Sequence, residues 1–160
     1  MAFSFAASAL AGARITKYDL TGWRTLIMES DRIVATGGSP VIASGDGSLR
    51  LVADKIVLRI GGAKERRTIS TVEAVGGVRF FARRAGNETI QATCRRSVIT
   101  PGENRAVFEG NVKIVSRDRL GTSELTAGTV TLDTKTGRVT ATSSPSKSRL
   151  SSTLKSGEKP

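Results

Sequence analysis

The chain of 160 residues contains no histidine and one cysteine, Cys94. Without histidine it cannot form the Ser/His or Cys/His pairs of the common hydrolases, and a metal site with imidazole ligands is excluded. A lone cysteine cannot form an internal disulfide. The sequence also has no glycine-rich phosphate-binding loop that leads into a helix. We therefore predict no catalytic residues, no metal, no cofactor and no enzymatic activity.

Aromatic residues are also scarce, at 4% of the chain. Proteins that bind single-stranded nucleic acid stack bases on aromatic side chains, so this shortage argues against that function. Acidic residues are in the minority, because 14 Asp and Glu oppose 25 Lys and Arg and leave a net charge of +11. Such a charge favours an anionic partner, which includes nucleic acid, a membrane surface and a phosphorylated lipid. Charge alone does not choose among them.

Long apolar runs are absent, so no segment of the sequence qualifies as a transmembrane helix. Residues 1–13 are small and apolar but lack the basic start of a secretory signal, and we interpret them as an atypical export signal or a disordered N-terminus. Residues 143–160 are rich in Ser and Lys and are predicted to form a disordered tail. The remaining segment, residues 14–142, is long enough for one domain with a core.

What the chain does contain is a repeat. Residues 72–78 (Val-Glu-Ala-Val-Gly-Gly-Val) recur 34 positions later as residues 106–112 (Ala-Val-Phe-Glu-Gly-Asn-Val), and residues 33–41 form a looser copy. A second element, with an apolar residue two positions before an alanine, also recurs, at residues 51–58, 90–94 and 125–132. A period of this size indicates one supersecondary unit stacked on copies of itself.

The units are predicted to be β-strands, because apolar and polar residues alternate and Gly-rich turn signals recur at short intervals. Gly76 and Gly110 fall on the apolar face of their copies, which predicts a β-bulge there, with a plain turn between two short strands as the competing interpretation. The apolar positions of residues 51–58 and 125–132 share one face only if one residue is skipped, which also indicates a bulge. Tyr18 and Trp23 precede the first copy and are predicted to lie in a further strand that caps the apolar face.

Residues 110–114 (Gly-Asn-Val-Lys-Ile), the segment Leu125-Thr-Ala127 and the hairpin at residues 132–141 together resemble the LptA/OstA-like family of lipopolysaccharide-transport periplasmic proteins. The resemblance extends over residues 72–141, with residues 33–58 as a weaker copy. It implies an all-β fold, a twisted antiparallel β-jellyroll built from repeated strand pairs, whose apolar interior holds lipid acyl chains. Members of this family line up end to end with related jellyroll domains and carry lipopolysaccharide across the periplasm toward the outer membrane.

The apolar faces supply the candidate binding residues. If these faces form a groove, acyl chains are held in it by burial, and the alternative is that the same residues pack against each other as a closed core. The predicted lipid-binding groove consists of Val72, Val78, Phe80, Phe108, Val112, Ile114, Leu125, Val130 and Leu132.

Basic residues concentrate in the middle of the chain, where residues 59–96 contain nine Lys and Arg and three Glu. The planar guanidinium group suits phosphate oxygens, so we predict a rim of arginines that binds an anionic headgroup, and a dispersed solvated surface is the alternative. The predicted rim consists of Arg79, Arg83, Arg84, Arg95 and Arg96.

The leading hypothesis is a non-enzymatic periplasmic module that binds lipopolysaccharide or another anionic lipid. Its expected partners are that lipid and other jellyroll transport proteins, arranged end to end, or further copies of itself; nucleic acid is not expected. Two other classes remain open. One is a basic nucleic-acid-binding β protein, whose binding would weaken steeply with salt. The other is a structural β filament, because unpaired end strands invite edge-to-edge addition.

Overall fold

Residues 2–4, 18–62, 68–142 and 149–154 are described by the structure, which is a computed structural model. They form one antiparallel sheet of 11 strands in the order β1-β2-β3-β4-β6-β7-β8-β9-β10, in which β5 pairs with β3 and β6 and β11 pairs with β9. The strands are β1 Ala2–Ser4, β2 Tyr18–Met28, β3 Arg32–Ser44, β4 Leu49–Val52, β5 Lys55–Gly61, β6 Thr68–Arg83, β7 Thr89–Thr100, β8 Arg105–Arg117, β9 Gly121–Asp133, β10 Val139–Thr142 and β11 Arg149–Leu154.

A line of irregularities crosses the sheet and divides most strands into two parts. The pairing register shifts between Val75 and Val78 of β6 and between Glu109 and Val112 of β8. Gly76 and Gly110 lie at these shifts with φ of 84° and 83°, a backbone conformation that favours glycine. Because β6 and β8 each continue through the irregularity, the predicted bulge is confirmed and the plain turn is wrong.

The predicted one-residue skip takes two forms. In β9 the buried residues are Ala127, Val130 and Leu132, so the side-chain alternation skips one position within a continuous strand. In the first copy, Ala53 and Asp54 separate β4 from β5, and the Asp54 amide donates a hydrogen bond to the carbonyl of Gly76 at 2.9 Å. The same sequence signal therefore produces a bulge in one copy and a break between two strands in the other.

The line of bulges divides the sheet into two regions, which we call half-sheet A and half-sheet B. Half-sheet A contains residues 23–28 of β2, 32–36 of β3, all of β5, 68–75 of β6, 96–100 of β7, 105–109 of β8, 129–133 of β9 and all of β10. Half-sheet B contains residues 18–21 of β2, 41–44 of β3, all of β4, 78–83 of β6, 89–94 of β7, 112–117 of β8, 121–127 of β9 and all of β11.

The two half-sheets fold against each other. Phe80 of half-sheet B and Phe108 of half-sheet A have ring centroids 5.1 Å apart in an edge-to-face arrangement. In a flat sheet these positions would be roughly 20 Å apart, given the spacing of about 3.3 Å per residue along a strand and about 4.8 Å between strands. The apolar side chains of both half-sheets consequently form one buried core between them.

Each end of the chain contributes one short strand to the sheet. Ala2–Ser4 forms β1, which pairs with β2, although residues 1–13 were interpreted as an export signal or a disordered segment. Arg149–Leu154 forms β11, which pairs with β9, within the predicted disordered tail. Short strands at a sheet edge depend on non-local pairing that composition does not reveal. The rest of both predicted segments lies outside the described residues, which omit 1, 5–17, 63–67, 143–148 and 155–160.

Candidate functional site

Eight of the nine predicted groove residues lie in the interior between the half-sheets. None of these eight exposes more than 3% of its surface, and all belong to one apolar cluster: Val72, Val78, Phe80, Phe108, Val112, Ile114, Val130 and Leu132. The ninth, Leu125, is partly buried and packs against that cluster. The structure therefore brings the predicted lining together on the inner faces of the fold, where the side chains contact each other.

The interior offers almost no polar chemistry. Ser97 is the one buried polar residue of the core among the described positions, and its hydroxyl has no hydrogen-bond partner. Cys94 is also buried, and loss of hydration raises the pKa of its thiol to about 11, so it is neutral at physiological pH. The 18–62, 68–142 and 149–154 segments contain no cluster of carboxylates and cysteine that could hold a metal ion. Binding here can rest only on apolar contact and burial.

The apolar inner face continues beyond the core at the edge formed by β10 and β11. Val139 pairs with the buried Leu132, and Leu150 pairs with Leu125, so both side chains lie on the core-facing side. Leu150 is nevertheless 71% exposed and Val139 36% exposed. We call this surface the exposed edge. Leu150 is not among the predicted groove residues, because the Ser- and Lys-rich composition of its segment is typical of a disordered tail.

At the opposite edge of the sheet, β2 covers the end of the core. Tyr18 and Trp23 both lie in this strand and pack against the core, which confirms the predicted capping strand. Burial, assisted by the charge of Asp46, raises the pKa of the Tyr18 hydroxyl. The indole nitrogen of Trp23 is buried without a hydrogen-bond partner. At this edge Leu20 is fully buried, but Met28, which pairs with the buried Ile33 and so lies on the core-facing side, is 42% exposed.

The predicted arginine rim is not assembled over the interior. Arg79, Arg83 and Arg96 alternate with buried residues and lie on the outer faces of the half-sheets. Arg84 lies in a turn, where it forms an ion pair with Glu88 at 2.6 Å. The side chain of Arg95 packs over Gly110 at the line of bulges. The rim was inferred from closeness in sequence, but strand alternation sends these side chains away from the apolar face.

Arg96 is held in half-sheet A by two carboxylates. Its guanidinium group contacts Glu73 at 2.9 Å and Glu109 at 3.0 Å, on the two neighbouring strands. The hydrogen bonds that the guanidinium group donates to these carboxylates raise the pKa of Arg96. Its charge is thus already neutralised. Three further basic residues of the central region, Lys64, Arg66 and Arg67, lie outside the described residues.

No helix in the described part of the chain is long and apolar enough to cross a membrane. The helical elements there are two single 3₁₀ turns, Ala85–Asn87 and Pro101–Glu103.

Comparison with known proteins agrees with this geometry. Residues 24–138 match the model of the family described as LptA/(LptD N-terminal domain) LPS transport protein. No curated protein matches the chain. Among solved structures, the chain is similar to the crystal structure of LptH, described as the LptA homologous periplasmic component of the conserved lipopolysaccharide transport device from Pseudomonas aeruginosa. The TM-score is 0.70 at 14% sequence identity, over 86% of this chain and 94% of that one. The predicted all-β jellyroll fold is confirmed.

Proposed function

The chain belongs to the LptA/(LptD N-terminal domain) family of LPS transport proteins, and from this premise we propose that it is a non-enzymatic carrier of lipopolysaccharide. In this proposal the acyl chains of lipopolysaccharide, or of a related anionic lipid, are held against the apolar inner side of the sheet where it emerges at the exposed edge. The module acts in the periplasm, as one unit of a bridge that leads toward the outer membrane.

The exposed edge is the observation that carries this proposal. The core-facing side of the sheet is buried as far as Val130 and Leu132 and then continues, without a polar boundary, to the exposed Val139 and Leu150. A soluble domain that needs its apolar face only for its own stability gains nothing from extending that face into water. An acyl chain laid along this edge would extend the core and would be stabilised by about 0.8 kcal/mol per buried methylene.

The same edge supports end-to-end assembly. β10 and β11 each pair with β9 on one side, and the hydrogen-bonding groups on their other side have no strand partner among the described residues. An unpaired strand edge is a template for addition of a strand from another chain. The partner in this proposal is another jellyroll of the same architecture, either a related transport protein or a second copy, so that the inner faces of successive modules are joined.

Photo-crosslinking tests whether lipid reaches the exposed edge. A photoreactive amino acid at Leu150 faces the inner side, whereas the same group at the neighbouring Ser151, which pairs with Glu124, faces outward and is the matched control. With purified lipopolysaccharide, we expect a crosslinked product at position 150 and little at position 151. Equal crosslinking at both positions, or none at either, would contradict the proposed route along the inner face.

A charge placed at the edge provides an independent test. Val139→Glu introduces a carboxylate on the inner side of β10. Thr140→Glu introduces the same carboxylate at the next residue, on the outer side. Both positions are exposed in the wild-type protein. We expect Val139→Glu to weaken lipopolysaccharide binding, measured by native mass spectrometry, and to reduce concentration-dependent association in sedimentation. Thr140→Glu should leave both near the wild-type values. The proposal fails if the two variants behave alike.

A further inference from the structure

A hollow of about 760 Å³ lies on the outer face of half-sheet B, where β3, β4, β6 and β7 run side by side. Its position follows from the pairing register. Arg50 lies between Ala43 and Phe81, and Arg79 lies between Val52 and Thr93. These residues alternate with the buried Leu51 and Phe80, so they point away from the core. The hollow therefore opens on the outer face, away from the exposed edge, and the inner-face residues Leu49, Phe80 and Ala92 also border it.

The hollow combines an apolar floor with cationic sides. Ala43, Val52 and Phe81 are all half-buried, although they lie on the outer face of the sheet. Arg50 and Arg79 are exposed beside them on adjacent strands. A volume of this size is within the range of small-molecule sites, which are mostly apolar with a few polar groups that fix the orientation of the ligand.

The two arginines are available to a ligand. Neither Arg50 nor Arg79 has a carboxylate partner among the described residues, in contrast to Arg96 of half-sheet A, which is bound by two. Asp46 lies in the turn next to Gly47, which also lines the hollow. Its carboxylate is engaged by Ser44 and Ser48, which donate three hydrogen bonds of 2.7 to 2.9 Å. These neutral donors leave the negative charge of Asp46 in place, so two arginines against one aspartate give the hollow a net positive charge.

We propose that this hollow is a second binding site, which takes the phosphate group of a single phosphorylated lipid together with part of its acyl chain. Arg50 and Arg79 bind the phosphate oxygens, for which the guanidinium fork is well suited. Phe81 and Val52 cover the first methylenes of the chain. The site is additional to the interior, so it does not depend on the proposed carrier function.

Three monomeric probes distinguish a lipid headgroup from a free anion. Dihexanoyl phosphatidic acid carries phosphate and short acyl chains, dihexanoyl phosphatidylcholine carries the same chains without net charge, and inorganic phosphate carries the charge alone. We expect saturable binding of the phosphatidic acid, with amide chemical-shift changes in NMR spectra concentrated at residues 50–52, 79–81 and 91–93. Phosphatidylcholine and inorganic phosphate should bind at least tenfold more weakly, because choline neutralises and covers the phosphate of the first and the second has no acyl chains. Equal affinity for inorganic phosphate and the phosphatidic acid would reduce the hollow to a general anion site and overturn the lipid assignment.

Charge-matched variants locate the site. Arg50→Gln/Arg79→Gln should weaken binding of the phosphatidic acid on the order of tenfold, because two charge-assisted contacts are lost. Arg59→Gln/Arg105→Gln removes two exposed arginines from the outer face of half-sheet A and should leave the affinity unchanged. Equal weakening by both double variants would show dependence on net charge alone, and shift changes confined to residues 139–141 and 150 would place the probe at the exposed edge. Either result would overturn the proposal.

Discussion

The two half-sheets have the same internal design but different outer faces. On the inside, both contribute rows of buried side chains that cross β6, β7 and β8 in register. On the outside, half-sheet A places Arg96 between two glutamates. In half-sheet B, Lys113 pairs with Glu124, whereas Arg50, Arg79, Arg83 and Arg117 have no carboxylate partner in the described segments. The fold requires only that the inner faces be apolar. The outer faces are free to differ, and half-sheet B presents a hollow flanked by the unpaired Arg50 and Arg79.

The largest effect on the free energy of unfolding is expected from a substitution at the line of bulges, where the two half-sheets meet. Gly110→Ala places a side chain at φ of 83°, with its Cβ 2.9 Å from the Cβ of Arg95. The unfavourable backbone conformation and the close contact together should lower the free energy of unfolding by about 2 kcal/mol or more. Urea denaturation followed by far-UV circular dichroism measures the change.

Gly102→Ala is the matched control for this substitution. Gly102 lies in the 3₁₀ turn Pro101–Glu103, it does not have a positive φ, and an added Cβ has no heavy atom within 4 Å. Its substitution should change the free energy of unfolding by less than about 1 kcal/mol. If Gly110→Ala is as stable as Gly102→Ala, the fold between the half-sheets does not depend on the bulge.

The bulge line was predictable because its signal is local. Gly76 and Gly110 recur at the same place in an alternating pattern, and alternation fixes which face is buried. Two properties were not predictable in this way. β11 is a short strand in a Ser-rich segment, and only its pairing with β9 makes it part of the sheet. The second property is the position of the arginines. They are close in sequence to the apolar residues, but neighbouring residues of a strand point to opposite faces, so Arg79 lies on the outer face and Phe80 on the inner face.

An intermediate effect on the free energy of unfolding is expected from Ser97, the one buried polar residue in these inner rows. Half-sheet A has Ala74, Ser97 and Phe108 across β6, β7 and β8, and half-sheet B has the wholly apolar row Phe80, Ala92 and Ile114. The hydroxyl of Ser97 is buried without a partner, which costs about 1 to 3 kcal/mol. Ser97→Ala should therefore raise the free energy of unfolding by about 1 kcal/mol, after the small loss of packing volume.

Ser70→Ala provides the comparison for Ser97→Ala. The exposed Ser70 hydroxyl donates a hydrogen bond to the carbonyl of Arg59 at 3.2 Å, so its removal should lower stability slightly. Opposite signs for the two variants in urea denaturation are the expected outcome. A loss of stability in Ser97→Ala would mean that its hydroxyl is satisfied in solution, and the inner faces of the two half-sheets would then not differ in this respect.

The smallest effect on stability is expected from Asp46, in the turn between β3 and β4 of half-sheet B. Hydrogen bonds from the hydroxyl and amide of Ser48, and from the hydroxyl of Ser44, lower the pKa of Asp46 to about 2 from its ordinary value of 3.8. Because the folded-state pKa is depressed, the turn contributes stability above about pH 4 and loses it as the pH falls through 2. The difference in melting temperature between wild type and Asp46→Asn should be constant above pH 5 and should decrease toward pH 2.

NMR titration of the Asp46 side-chain carboxyl carbon measures the pKa of Asp46 directly and so separates its protonation from general acid unfolding. The Ser48→Ala variant loses the hydrogen bond of 2.7 Å that the Ser48 hydroxyl donates to Asp46. It keeps the hydrogen bond of 2.9 Å that the amide of residue 48 donates to the same carboxylate. The pKa of Asp46 should therefore rise toward its ordinary value without reaching it. An unchanged titration curve would show that the Ser48 hydroxyl does not bind the carboxylate. The turn beside the hollow would then be held by the hydrogen bonds that the Ser48 amide and the Ser44 hydroxyl donate to Asp46.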